Sequence, residues 1–151
     1  MYKATREFLK LRPNAKIVNV ELINFDGTKP NHCYQNACLY ADSNEMQRMV
    51  MSGWLVGEFL GERGTAIIPH YWVFDEVLKR YFDPTPKNIN DKQIYEYVED
   101  IDIMQYGNSN SILPPPLRLT ANGTFDVKLD GEIFKPIQKI DVAELYSMQS
   151  D

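Results

Sequence analysis

Three side chains in this sequence, those of Cys33, His70 and Asp83, are of the types that acyl transfer through a cysteine nucleophile requires. That chemistry needs a thiol that is partly ionised near neutral pH, a base next to it, and a third group that holds the base in one tautomer. Cys33 follows a polar loop and begins a stretch without Gly or Pro, which predicts a helix of about nine residues. The N–H groups and the dipole at a helix start favour a thiolate, and they could also bind an oxyanion.

The base and its orienting acid are predicted to lie on two neighbouring strands. A hairpin whose turn is centred between Glu76 and Val77 places His70 directly opposite Asp83. Asp75 then projects from the other face of the strand, and it stays open as an alternative orienting residue.

Each of these residues also has a purely structural interpretation. Cys33 could be a small buried hydrophobic residue, His70 a core or surface histidine, and Asp83 the start of a turn before a proline. His32 is adjacent to Cys33 and should point away from it, and Cys38 should lie in the core. A zinc site that combined both cysteines with both histidines would need thiols on different sides of one helix, so we expect no metal and no cofactor.

The elements that must position these residues can be placed by pattern. Alternating Val and Ile, turn dipeptides and helix-compatible stretches predict an α+β domain with one antiparallel sheet and helices packed against it. Asn90 is predicted to begin a helix that runs through Val98, and an Asp130-Gly131 turn of type I′ is predicted to join two strands. The strands are predicted at 16–25, 49–60, 66–74 and 79–82 and in the hairpin 124–134, with a first helix at 4–11.

Composition limits the classes of function. The 151 residues are 44% hydrophobic and carry a net charge of −5 without a basic cluster, which disfavours nucleic acid as a partner. The first ten residues carry charges every few positions, unlike a signal peptide, and the sequence has no apolar stretch of membrane-spanning length. We therefore expect one cytoplasmic domain, 1–151, with no membrane partner and with both cysteines as thiols.

The order of these motifs resembles that of the transglutaminase-like core of the transglutaminase-like and papain-like cysteine hydrolases. The matching segments begin at Cys33 and include Met49–Trp54, His70-Tyr71-Trp72-Val73 and Asp83-Pro84-Thr85, so the resemblance covers about residues 31–86. It implies a catalytic core at about 16–86 with a nucleophile at Cys33, a base at His70 and an orienting acid at Asp83. Residues from about 90 to 151 would form an extension, a helix and a hairpin, that matches no motif of the family.

Five further residues are candidates for the oxyanion site or the substrate cleft, although the aromatic ones could equally be core: Asn31, Tyr34, Trp54, Tyr71 and Trp72. The function that these features predict is hydrolysis, deamidation or transamidation of a protein or peptide-like amide. The alternative is a catalytically silent protein-binding module or effector on the same scaffold. Because loops on a rigid sheet often select partners, the Pro114-Pro115-Pro116 loop and the Asp130-Gly131 hairpin are expected to flank the Cys33 cleft or to form a partner surface.

Overall fold

The computed structural model describes residues 1–58, 61–107, 112–130 and 133–148. In this part of the chain four α-helices and nine strands form an α+β arrangement, which confirms the predicted class. The helices are α1 (Lys3–Leu11), α2 (Cys33–Asp42), α3 (Ile101–Gly107) and α4 (Val142–Ser147). The strands are β1 (Lys16–Val18), β2 (Val20–Leu22), β3 (Arg48–Val56), β4 (Thr65–Asp75), β5 (Arg80–Asp83), β6 (Glu96–Glu99), β7 (Leu117–Leu119), β8 (Phe125–Leu129) and β9 (Ile133–Ile137).

The nine strands form one mostly antiparallel sheet. Its main path runs β1-β6-β3-β4-β7-β8-β9, and β5 joins β4 on one side and β2 on the other. The β2–β5 pair is parallel, whereas the other pairs are antiparallel. Because β6 lies between β1 and β3, a strand from the predicted C-terminal extension lies inside the sheet of the predicted core.

The segment predicted as one strand over 16–25 is divided at Asn19 into β1 and β2. The division has a physical cause, since β1 pairs with β6 and β2 pairs with β5, on opposite sides of the β3–β4 pair. Val18 and Val20 are two residues apart, so their Cα atoms can be separated by at most about 7 Å. The sheet must therefore curl until β5 and β6 approach each other. A hydrogen bond of 2.5 Å from Tyr97 Oη on β6 to Asp83 Oδ2 on β5 spans this curl.

The two faces of the curled sheet have different environments. The helix face packs against the helices, with Phe8 of α1 edge-on to Trp54 at 5.6 Å and Tyr40 of α2 edge-on to Phe82 at 6.3 Å. The other face, which we call the inner face, lies on the concave side of the curl. Alternation along the strands assigns the following residues to it: Gly53, Leu55, Ile68, His70, Trp72, Asp83 and Tyr97.

One edge of β4 is shared by two short strands. β5 pairs with Val73–Asp75 and β7 pairs with Thr65–Ile67, so residues 68–72 face no described strand on that edge. The other edge of β4 is paired with β3 throughout. The sheet thus has a gap, which we call the β4 gap, with His70 at its centre.

The predicted helix from Asn90 through Val98 is wrong. Residues 96–99 form strand β6, in which Val98 is fully buried opposite Trp54, and a helix begins only at Ile101. Between this strand and the helix, Asp100 is buried and accepts hydrogen bonds from Arg12 and from Trp54 Nε1. The apolar residues at 94, 97 and 98 have helical spacing, but pairing with β1 and β3 on both sides of β6 overrides this local pattern.

The predicted C-terminal hairpin is confirmed in its strands. Phe125 pairs with Ile137 and Leu129 with Ile133, so three residues, and not two, separate the paired ends. The predicted Asp130-Gly131 turn itself lies outside the described residues. The strand predicted at 49–60 ends at Val56 as β3, and its last two predicted positions also lie outside the described residues.

Gly53 offers a test of the packing beneath the site, because it lies opposite His70 and under the indole of Trp72. A methyl group at this position would lie 2.0 Å from the carbonyl oxygen of Val98 and 2.5 Å from Cη2 of Trp72. Gly53→Ala is therefore expected to lower the free energy of unfolding by about 2–3 kcal/mol or more in urea titrations. The control is Gly57→Ala, whose methyl group would meet the mobile end of the Gln93 side chain. Equal costs for the two variants would contradict the close packing at Gly53.

Candidate active site

Cys33 begins helix α2, as the sequence predicts. The loop before it turns through Asn31, which has a left-handed φ of 64°, and His32 makes no side-chain cap bond to the helix. The first helical hydrogen bond runs from Asn36 N to His32 O at 2.8 Å, so the N–H groups of the first turn point out of this end of the helix. The thiol is 9% exposed and lies at the positive end of the helix dipole.

His70 lies in the β4 gap, where it can interact with groups from both faces of the sheet. Its Nε2 is 2.8 Å from Asp83 Oδ2 on the inner face. Its ring also interacts with the thiol of Cys33. The hydrogen bond between them acts to raise the pKa of the imidazole. Because Asp83 occupies Nε2, Nδ1 is the nitrogen left for Cys33. The gap explains this contact, since a helix on the other face could not reach an inner-face residue through a paired strand.

Asp83 is held by several donors. Tyr97 Oη donates to Oδ2 at 2.5 Å, the same oxygen that bonds His70, and Thr85 N donates to Oδ1 at 3.0 Å. Burial by itself would raise the pKa of Asp83, but the charge of His70 and the hydrogen bonds from His70, Tyr97 and Thr85 outweigh it and hold this pKa below its ordinary value. Burial and the neighbouring carboxylate raise the pKa of Tyr97, so its phenol stays protonated and donates.

The protonation of His70 follows from this environment. Burial acts to lower its pKa, but the carboxylate of Asp83, together with the interaction with Cys33, outweighs burial and raises the pKa above its ordinary value. His70 is therefore an imidazolium at neutral pH, paired with an ionised Asp83.

The predicted pairing of His70 directly opposite Asp83 is wrong by two residues. The observed register places Phe74 opposite Tyr81, and its extension places Asp83 opposite Trp72. His70 therefore reaches Asp83 diagonally. Because the shift is an even number of residues, both side chains stay on the same face.

The cause of the shifted register is the turn itself. The carboxylate of Asp75 accepts hydrogen bonds from Val77 N at 3.0 Å and Leu78 N at 2.9 Å, and Lys79 adopts a left-handed φ of 56°. The turn thus occupies residues 76–79. Asp75, the alternative orienting residue, also bonds Gln47 and lies on the face away from His70.

Asn36 was not predicted from the sequence, and it connects both sides of the site. Its buried amide accepts from Lys29 N at 3.0 Å and donates to Lys29 O at 2.7 Å and to Thr85 Oγ1 at 3.1 Å. It thereby ties the loop before Cys33 to the segment after Asp83. One feature of the sequence could have indicated its role: it is a polar residue one helical turn after Cys33, next to the apolar Ala37.

The structure places the five cleft candidates in different environments. Asn31 lines the cavity described below, and its Oδ1 accepts from Asn88 Nδ2 at 3.1 Å. Trp54 and Tyr71 are buried on the helix face, and Tyr34 is half-buried with its ring edge-on to Tyr71 at 4.9 Å. Trp72 is fully buried on the inner face.

Trp72 supports the imidazole from within the curl. Its ring stacks on His70 with a centroid distance of 6.3 Å and meets the ring of Tyr97 edge-on at 5.2 Å. These contacts pack the imidazole of His70 against apolar surface and exclude water from the side of the ring that faces Trp72. Trp72 thus acts in positioning, and not as a wall of the cavity.

The second cysteine lies apart from this arrangement. Cys38 is half-buried on the same helix; burial raises the pKa of its thiol, a hydrogen bond from Tyr34 acts to lower it, and Asp42 adds to the rise. His32 is exposed and bonds the carbonyl of Pro30 through Nδ1 at 2.8 Å. Within the described ranges, no three His, Cys, Asp or Glu side chains converge as metal ligands.

A cavity of about 550 Å³ opens beside the three candidate catalytic residues. Cys33, His70 and Asp83 line it, together with Leu55 and Ile68 of the inner face. The described residues of the predicted C-terminal hairpin do not line it, whereas Leu113, just before the proline loop, does. A volume of this order falls in the range of small-molecule sites, roughly 300–1,000 Å³.

Comparisons with protein-family models, curated proteins and solved structures found no match to this chain. Among the described residues, no helix combines the length and apolar character needed to cross a bilayer.

The His70–Asp83 pair predicts a pH-dependent stability. His70 has a raised pKa, so its contribution is complete below the ordinary histidine value of 6.5 and is lost as the pH rises through the raised value. Asp83 has a lowered pKa, so its contribution is complete above the ordinary value of 3.8 and is lost as the pH falls through the lowered value. The pair therefore stabilises the protein most between about pH 4 and pH 6.5.

Asp83→Asn removes the partner of a buried cation, and we expect it to cost on the order of 3–5 kcal/mol near pH 5.5 and clearly less near pH 8.5. Urea unfolding followed by tryptophan fluorescence measures both values. Asp26→Asn, at an exposed aspartate, is the control and should cost little at either pH. A cost for Asp83→Asn that is the same at both pH values would mean that Asp83 does not hold His70 as a cation.

Proposed function

We propose that this protein is a cysteine-dependent acyl-transfer enzyme that acts on amides through Cys33, His70 and Asp83. The observation that carries the proposal is the meeting of these three side chains at the β4 gap, beside a cavity. They come from a helix start and two strands, and His70 bonds Asp83 at 2.8 Å while it interacts with Cys33. The order of the three residues and their flanking motifs also resembles the transglutaminase-like core, and that resemblance supports the same chemistry.

In the first half of the reaction, the Cys33 thiolate attacks the carbonyl carbon of a bound amide and forms a tetrahedral oxyanion. The N–H groups at the start of α2 supply hydrogen-bond donors and a positive dipole for that oxygen. The C–N bond then breaks, its electrons stay with nitrogen, and His70 gives its proton to the departing amine. A thioester on Cys33 and a neutral His70 remain.

In the second half, water or an amine attacks the thioester. His70 takes the proton of this nucleophile, the C–S bond breaks, and the thiolate and imidazolium are restored. Water gives hydrolysis and an amine gives transamidation.

Asp83 and Tyr97 keep His70 suited to both halves of the reaction. The carboxylate fixes Nε2 as a protonated nitrogen, so Nδ1 exchanges the proton with substrate. Tyr97 donates to the same carboxylate oxygen and prevents Asp83 from rotating away.

An activated ester tests the nucleophile without knowledge of the natural substrate. p-Nitrophenyl acetate should release a burst of nitrophenolate stoichiometric with protein, and peptide mass spectrometry should locate an acetyl group on Cys33. Cys33→Ala is expected to abolish the burst, and His70→Gln to slow acylation by roughly 10²-fold or more. The matched control, Cys38→Ala, removes the other thiol of the same helix and should retain the burst. Acetylation of Cys38 alone would overturn the proposal and favour a binding module.

Alkylation distinguishes the two thiols by a second route. With iodoacetamide near pH 6.5, Cys33 in the Cys38→Ala variant should react at least about tenfold faster than Cys38 in the Cys33→Ala variant, because only Cys33 lies beside the His70 cation. His70→Gln in the Cys38→Ala background should remove this advantage. Equal rates for the two thiols across the pH range would contradict a thiolate–imidazolium pair.

A further inference from the structure

Eight aliphatic side chains contribute to the lining of the cavity beside Cys33, alongside polar ones. Leu55 and Ile68 pair across β3 and β4 and form its floor on the inner face. Its rim carries apolar side chains that are unusually exposed for their type: Ile17 is 37% exposed, Leu22 55% and Ile94 75%. The floor begins next to His70, because Ile68 is two residues before it on the same face of β4.

The charged side chains that line the cavity already have partners within the chain. The carboxylate of Asp91 accepts from Gln93 N and from Tyr95 Oη, both at 3.0 Å. Lys87 donates to the carbonyl of Gln93. Glu96 accepts from Tyr2 N at 2.6 Å and from the Thr5 hydroxyl at 2.7 Å. These charged groups are thus partly satisfied within the chain, whereas an aliphatic ligand would cover Leu and Ile side chains that are exposed to water.

From these observations we propose the substrate class, an inference that rests on the proposed function. The substrate is an amide whose acyl part is an aliphatic group of about six carbons or more. Its carbonyl lies at Cys33, and its chain covers Leu55 and Ile68, with Leu22 and Ile94 at the rim. Two sources share this chemistry, namely a fatty acyl group and a leucine-like residue on the acyl side of a peptide bond. The polar amides of Asn31 and Asn88 lie beside Cys33 at the near end of the cavity, where they can bind a peptide group.

Chain length provides the first test. The rate of Cys33 acylation by p-nitrophenyl hexanoate is expected to exceed that by p-nitrophenyl acetate by about 250-fold, since each of the four additional methylenes contributes roughly fourfold when it is buried. The p-nitrophenyl ester of N-acetyl-leucine represents the peptide source. If this ester acylates Cys33 faster than the hexanoate does, the substrate is a peptide. If the hexanoate reacts faster, the substrate is a fatty acyl amide. Equal rates for all three esters would overturn the proposed substrate class and leave the nucleophile intact.

Rim variants supply the matched control. The double variant Leu22→Asp/Ile94→Asp changes two exposed residues that line the cavity, and it should lower the hexanoate-to-acetate ratio at least about fivefold. Leu78→Asp/Ile89→Asp changes the same two residue types at sites that are 52% and 88% exposed and are not among the residues lining the cavity. It should leave the ratio unchanged. A similar fall in the hexanoate-to-acetate ratio in both double variants would show that the rim does not bind the acyl chain.

Binding to the Cys33→Ala variant tests the cavity apart from the chemistry. Titration with hexanamide should shift the backbone amide resonances of Leu55 and Ile68, and acetamide should not. If no ester acylates Cys33 but hexanamide shifts these resonances, the proposed function fails and the aliphatic site stands. If hexanamide leaves them unchanged, the inference is wrong whatever the esters do.

Discussion

The site depends on one constraint, the short distance between Val18 and Val20. These residues pair with strands that β3 and β4 keep apart in the sheet, so the sheet has to curl. The curl brings Tyr97 Oη to 2.5 Å from Asp83 Oδ2, and it encloses the imidazole of His70 against the ring of Trp72. Burying an ion pair is costly unless its remaining hydrogen-bonding groups are satisfied. The curl supplies those partners from strands that a flat sheet would hold far apart.

A second requirement is that the thiol reaches the pair from the other face of the sheet. Two short strands, β5 and β7, share one edge of β4 and leave His70 at a break between them. Helix α2 packs on the helix face, and its first residue meets His70 at this break. Asn36 fixes the approach, because its amide bonds the loop before Cys33 and the hydroxyl of Thr85 after Asp83. The proposed nucleophile and base are thus held by one short network and not by separate loops.

Local features of this fold could be read from the sequence, and long-range ones could not. The start of α2 at Cys33 and the strands around His70 and Asp83 follow from composition and turns within ten residues of each position. The face shared by His70 and Asp83 was predicted correctly despite a wrong register, since an even shift preserves parity. Tyr97 was missed because its strand exists only through partners that lie more than 40 residues away in sequence. The assignment of Trp54 and Tyr71 to the cleft failed for the same reason, because the partners that bury them in the core lie far away in sequence.

The pairing of Lys16 with Glu99 also sets the order in which this site can be made. Contacts between residues so far apart in sequence form late, because the chain between them must be ordered first. On the ribosome, Cys33 emerges long before the strand that carries Tyr97, and Asp83 emerges before its second donor. A growing chain therefore carries Cys33 without the completed His70–Asp83–Tyr97 network beside it. If Cys33 is the nucleophile that we propose, its reactivity arises only when the N-terminal segment closes against β6, and the completed fold itself acts as the activation step.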